Sequence, residues 1–298
     1  MTSVTLTRVD PISYGKIQAV FAAIVGFAYG IFAAFILGTL GILGGSTMVI
    51  SGGLAIAMPF FGIIGGVILG FIFAAISAIV YNRVAGAIGG VTIDLGSKPT
   101  VINSINKMSL AKIAAVVALI VFIVIAIIMV AAFPVIIGMI GGGIAASSVT
   151  GQAATTGISS TLTSELQGVS GTVEVLLLII IPIVGVIGGF IYGFLYALIY
   201  DFLAGEIGGI KFTLSAKPST ITAVDPMSYA KMSASIAAVI ALITSLIDFV
   251  IHHTIISALS VIGIPIFDFV IGFVVTFIFA WIYNAIAPRI GGIQIVLK

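Results

Sequence analysis

Six apolar runs, each long enough to cross a bilayer, decide most of what this chain can fold into. They extend roughly from Ile17 to Leu40, Met58 to Tyr81, Ile113 to Ile137, Val175 to Tyr200, Met232 to Ile251 and Ile264 to Tyr283. A hydrocarbon core about 30 Å thick takes about 20 residues of helix at about 1.5 Å each. Lipid offers no partner to free backbone N–H and C=O groups, so these runs must be helical. A transmembrane barrel would show alternating segments instead, and these runs do not alternate. Composition agrees. Apolar residues make up 61% of the chain and charged residues 7%, whereas a soluble domain carries about 25% charged residues. The expectation is an all-α polytopic membrane protein whose solvent is the lipid bilayer. The polar start MTSVTLTRVDPISYGK leads into a run longer than a signal-peptide core and without a small-residue cleavage site, which reads as a retained first span.

The charges sort by position. Arg8, Lys16, Arg83, Lys98, Lys107, Lys112, Lys211, Lys217, Lys231, Arg289 and Lys298 all fall in the N-terminal tail, the second and fourth connections, or the C-terminal tail. With six spans, those segments share one membrane face. Lys/Arg enrichment marks the cytoplasmic side, which implies a multi-pass cell-membrane protein with both termini cytoplasmic. A net charge of +2 gives no reason to expect nucleic-acid binding, and the absence of cysteine excludes disulfides, thiolate metal sites and catalytic thiols.

The chain also repeats itself. Residues 9–16 read VDPISYGK and residues 224–231 read VDPMSYAK, with INKMSLAK at 105–112 as a more divergent middle version. A second element reads YNRVAGAIGGVTIDL from Tyr81, YDFLAGEIGGIKFTL from Tyr200 and YNAIAPRIGGIQIVL from Tyr283. Apolar low complexity explains the spans but not polar and glycine residues at fixed offsets. The organisation expected is three tandem two-helix repeats: residues 1–95, 96–214 and 215–298. Asp10-Pro11 and Asp225-Pro226 read as helix starts, with Asn106 capping the middle copy. Tyr14, Tyr229, Tyr81, Tyr200 and Tyr283 read as interfacial anchors, alongside Lys16, Lys112 and Lys231. Each second helix should stop at Gly89-Gly90, Gly208-Gly209 or Gly291-Gly292 in a left-handed cap.

Period-two alternation after each glycine pair, at 91–95, 210–214 and 293–297, predicts strands. The turn residues 96–99 and 215–218 lead to further strands near 100–105 and 219–224. Short cytoplasmic β-hairpins would then link the repeats, and pairing the N-terminal strand near Val4–Val9 with 293–297 would close a six-stranded ring with no free edge.

Small residues recur every four positions in the second helices: Gly62, Gly66 and Gly70, then Gly185, Gly189 and Gly193, with Asp268 and Gly272 in the same frame of the third. That spacing lets membrane helices approach closely; the other reading is a glycine-lined conduit. Ionisable groups near the spans are few. Asp248 and His252 are four apart and share a face, His253 does not, and Asp268 stands where the other copies have small residues. They read as polar caps at the outer interface, or as a site of ion or proton handling. Two carboxylates and one histidine lack a fourth ligand for a metal. No phosphate loop, HExxH or GxSxG motif occurs, so no catalytic residue, metal or cofactor is expected. The outer loop 141–173 is rich in Gly, Ser and Thr and reads as flexible, with a short helix possible over Ser159–Leu166; it is either a spacer or a partner contact.

Asp10-Pro11-Ile12-Ser13, Tyr81-Asn82 and Gly89-Gly90, with Asp225-Pro226-Met227-Ser228, Tyr283-Asn284 and Gly291-Gly292, resemble the DUF3566 transmembrane domain family. Its members pair a D-P-W-S-x-x-K-type start with a Y-N…G-G-h-x-h-x-L ending. Ile12 and Met227 stand where the family has Trp, and the middle copy lacks Asp-Pro. The resemblance implies no catalytic residues and no substrate; it implies that single-unit relatives oligomerise, with this chain as a fused version. The function expected is a non-enzymatic membrane scaffold or accessory subunit with a cytoplasmic β-platform, working with a protein partner or by self-association in the membrane. The alternative is a channel or small-solute/ion transporter using Asp248, His252 and Asp268.

Overall fold

In the computed structural model, residues 2–43, 48–96, 100–148, 156–215 and 219–298 are described, with side chains for all of these except 40–43, 48–52, 54, 132–148 and 156–174. In chain order the elements are β1 (Thr2–Val9), α1 (Pro11–Leu43), α2 (Met48–Ile88), β2 (Val91–Gly96), β3 (Thr100–Ile105), α3 (Lys107–Ser148), α4 (Thr156–Ile207), β4 (Lys211–Leu214), β5 (Thr220–Val224), α5 (Pro226–His252), α6 (Ile255–Ile290) and β6 (Ile293–Leu297). Six helices are long and apolar enough to cross a membrane. The chain is a multi-pass membrane protein.

The helices outrun the apolar runs. α4 has 52 residues, against about 20 for a bilayer crossing. Its apolar part begins at Val175, so its first turns are the polar stretch read above as a flexible loop. That reading is corrected: α3 continues to Ser148 and α4 starts at Thr156, and only 149–155 of the outer segment lie outside the described residues. No proline stands between 141 and 173 to oppose helix there.

Two compact bodies are distinguished, Met1–Leu110 with Leu195–Lys298, and Ala111–Phe194. The first contains all six strands. They pair antiparallel in the order β1-β2-β3-β4-β5-β6, and β6 returns to β1 to form a closed barrel. Terminal strands meet where Leu6 faces Leu297, and the Thr5 and Lys298 backbones exchange hydrogen bonds of 2.7 and 3.0 Å. Of the residues read above as turns, 97–99 and 216–218, with Lys98 and Lys217, lie outside the described residues.

Within this body α1 packs along α2, and α5 along α6. In the first pair the backbones touch. A Cβ on Gly62 would overlap the carbonyl of Gly26, one on Gly66 the carbonyl of Ala22, and one on Gly70 the Ala22 side chain. The same lattice is looser between α5 and α6: a Cβ on Gly272 would sit 3.6 Å from the nearest atom of Ala234. In the other body Gly185 lies under Phe122, and Gly189 against Ala114 and Ala118. Gly193 is buried.

Candidate functional site: the strand ring and its helix joints

Each helix that leads into the ring ends on a glycine pair, and the two glycines do different things. Gly89, Gly208 and Gly291 have φ of 88°, 82° and 88°. At Gly291 ψ is 139°, so the turn there is not the left-handed cap expected but an extended positive-φ conformation essentially confined to glycine. The second glycine leaves no room for a side chain. A Cβ on Gly90, Gly209 or Gly292 would overlap the carbonyl of Leu6, Ile102 or Ile221 respectively.

A tyrosine ten or eleven residues before β2, β4 and β6 reaches into the ring. Tyr81 donates its hydroxyl hydrogen to the Leu6 carbonyl at 2.5 Å and accepts from the Val91 N–H at 3.3 Å. Tyr200 does the same with Ile102 at 2.7 Å and Ile210 at 3.1 Å. Tyr283 does so with Ile221 at 2.5 Å and Ile293 at 3.1 Å. Each hydroxyl therefore ties two neighbouring strands together at their helix-side edge. These residues are structural struts as well as residues of interfacial type, and Tyr200 is 1% exposed.

The next residue holds the other chain direction. Asn82 accepts from the Val9 N–H and donates to the Val9 carbonyl, both at 2.8 Å. Asn284 grips Val224 likewise, at 2.8 and 2.7 Å. In the middle segment Asp201 accepts from the Ile105 N–H at 2.8 Å and, having no N–H of its own, pairs instead with the Lys107 ammonium at 2.7 Å. Asp201 and Lys107, which stand where the other two segments have Asn and Pro, are thus partners of one another.

The starts of α3 and α5 dock on β2 and β4 of the segment before them, and the start of α1 docks on β6, the last strand. Asp10, Asn106 and Asp225 accept from the N–H of Ser13, Ser109 and Ser228 at 2.7, 2.9 and 2.6 Å. This is N-capping by a side-chain oxygen. Those serine hydroxyls, each bonded back to the cap carbonyl, accept at 3.0 Å from the N–H of Gln294, Thr92 and Lys211. The cap residue's own N–H donates to the carbonyl of the same strand residue at 2.9 Å in all three. Apolar contacts back this joint: Ile17 of α1 against Tyr283 and Ala287 of α6, and Met232 and Ile236 of α5 against Ile199 and Tyr200 of α4.

Neither comparison by sequence nor comparison by structure adds a relative. No family model matches the chain, and no curated protein or solved structure matches it. The bonding just described stands on its own geometry.

Asp248, His252 and His253 lie at the end of α5 away from the ring; Asp268, read above as a polar cap, instead lies inside α6, well past its start at Ile255. His252 Nδ1 is 2.9 Å from an Asp248 carboxylate oxygen, with both side chains about half exposed, at 60% and 49%. His253 caps α5 in the left-handed conformation, with φ 50° and ψ 30°, and sets its ring edge-on to Phe249. Thr254 and Ser257 then form a reciprocal capping box that starts α6. Asp268, half-buried, is not joined to the Asp248–His252 pair by any hydrogen bond or ion pair among the described residues, nor are three His, Cys, Asp or Glu residues grouped there as a metal would require.

Sequence reasoning missed the strut and clamp roles of Tyr81, Tyr200, Tyr283, Asn82, Asp201, Asn284 and the three serines. Their signal was recurrence at fixed offsets, which marks a shared bond without naming its partner.

Proposed function

We propose that this chain is an integral membrane scaffold or accessory subunit, non-enzymatic, made of three tandem two-helix copies whose strand ring is a cytoplasmic platform. One observation carries the reading. The polar side chains that recur at equal offsets in the three segments are spent on backbone atoms of the ring, as struts, clamps and caps. Chemistry needs polar groups left free to converge on a substrate, whereas a platform needs them to fix its shape. The eleven cations lie in segments that six spans put on one face, which favours the cytoplasm for the ring. Likeness to the DUF3566 transmembrane domain belongs to the same proposal, with this chain as a fused form of a self-associating unit.

The competing reading, a channel or ion transporter, rests on Asp248, His252 and Asp268. Vesicles containing the purified protein separate the two. The scaffold reading expects proton, sodium and potassium fluxes no larger than in protein-free vesicles. A flux that Asp248→Asn or Asp268→Asn abolished would overturn it.

A further inference from the structure

Lys16, near the start of α1, and Arg289, at the end of α6, line one open groove of about 700 Å³. Its floor is apolar: Val20 on α1, then Val67, Ile68 and Ile72 on α2. Both cations are exposed, and neither is within ion-pairing distance of a carboxylate among the described residues. Among the described residues Lys107 alone of the cations near the ring is ion-paired, with Asp201; what sets Lys16 and Arg289 apart is that they share one groove. Two unneutralised cations therefore stand at the ring end of a groove that runs down between helices of a membrane protein. From Lys16 to Val20 the groove descends about 6 Å at about 1.5 Å per residue. That takes it from the level where lysines and arginines reach the headgroups into the acyl region.

The sequence makes this joint unlike its counterparts. Lys16 corresponds to Lys112 and Lys231 in the other segments. Arg289, six residues after its tyrosine, corresponds to Ala87 and Glu206. At these two offsets only the first and last helices carry two cations; the other segments pair the lysine position with alanine or with an acid.

We propose that this groove binds an anionic phospholipid, its phosphate between Lys16 and Arg289 and an acyl chain along Val20, Val67, Ile68 and Ile72. Charge complementarity selects the headgroup, and the apolar floor selects a lipid over a free anion. Basic recesses between transmembrane helices hold anionic headgroups in this way. The site lies beside the ring and depends on the membrane character of the chain, not on the scaffold reading, so flux measurements do not bear on it.

The test uses the full chain in detergent micelles containing phosphatidylglycerol and phosphatidylcholine, with native mass spectrometry reading how much of each is retained. The wild type is expected to favour phosphatidylglycerol. One cation at a membrane surface is worth about a five-fold preference, so Lys16→Gln with Arg289→Gln should lower the ratio by up to about twenty-five-fold. Lys16→Arg with Arg289→Lys should preserve it, Lys231→Gln should leave it unchanged, and added inorganic phosphate should not displace the lipid. An unchanged ratio in the double glutamine variant overturns the proposal. So does an equal loss in Lys231→Gln, which would mean diffuse surface charge, or displacement by phosphate, which would mean an anion site without a lipid. Should the glutamine pair fail to fold, the wild type decides: raised salt must reduce phosphatidylglycerol retention and spare phosphatidylcholine, and a salt-independent ratio counts against the site.

Discussion

Tyr200 carries two backbone bonds on one oxygen. Replacing it with phenylalanine keeps the buried ring but leaves the Ile102 carbonyl and the Ile210 N–H without that partner. An unsatisfied buried polar group costs about 1–3 kcal/mol. Tyr200→Phe should therefore lower the thermal midpoint of the detergent-solubilised protein clearly. Its neighbour supplies the contrast. Asp201→Asn loses the ion pair with Lys107, whose side chains are 37% and 21% exposed, and such pairs are worth about 1 kcal/mol or less. The asparagine keeps an oxygen for the Ile105 N–H, as Asn82 and Asn284 do for their strands. It should melt close to the wild type. A scan in which Tyr200→Phe is harmless and Asp201→Asn severe would show that the tyrosines act only as interfacial anchors.

Among the elements, α1 and α2 have the least room between them. Gly62→Ala sets a methyl against the Gly26 carbonyl, so the helices must separate; overpacking of this kind costs about 1–3 kcal/mol. Gly272→Ala puts the same methyl at an ordinary contact distance from Ala234 and should be nearly neutral. Equal losses in the two variants, read by thermal unfolding in one detergent, would contradict backbone contact as the reason for Gly62. These elements were unevenly legible. Alternation at 91–95 and 293–297 placed strands where β2 and β6 lie; in β6 it follows an exposed sheet face, whereas β2 is half-buried throughout. The glycine pairs marked the helix ends, since a φ of 82–88° strongly favours glycine. The outer halves of α3 and α4 were illegible, because a polar Gly/Ser-rich stretch has no apolar periodicity whether it coils or not. The role of Asp201 was hidden too: its partner Lys107 is distant in sequence, and only the fold brings them together.

For the whole molecule, what matters is that the first and last strands meet. Through β1 and β6 the ring has no open edge, and the last helix is held against the first near the ring, where Ile17 meets Tyr283. If the pairing failed, both terminal strands would expose unpaired backbone and the Lys16–Arg289 groove would lose its shape. Because the chain has no cysteine of its own, one pair can be introduced without background. Thr5→Cys with Lys298→Cys places two thiols on residues that exchange backbone bonds, where Cα atoms lie about 5.5 Å apart, within disulfide range. In intact cells treated with a membrane-permeant oxidant, the expected result is an intramolecular disulfide; in reduced samples, an impermeant maleimide should reach both thiols only after the cells are opened. Thiols that stay free under oxidation, pair only between chains, or are labelled in intact cells would contradict a closed ring on the cytoplasmic face.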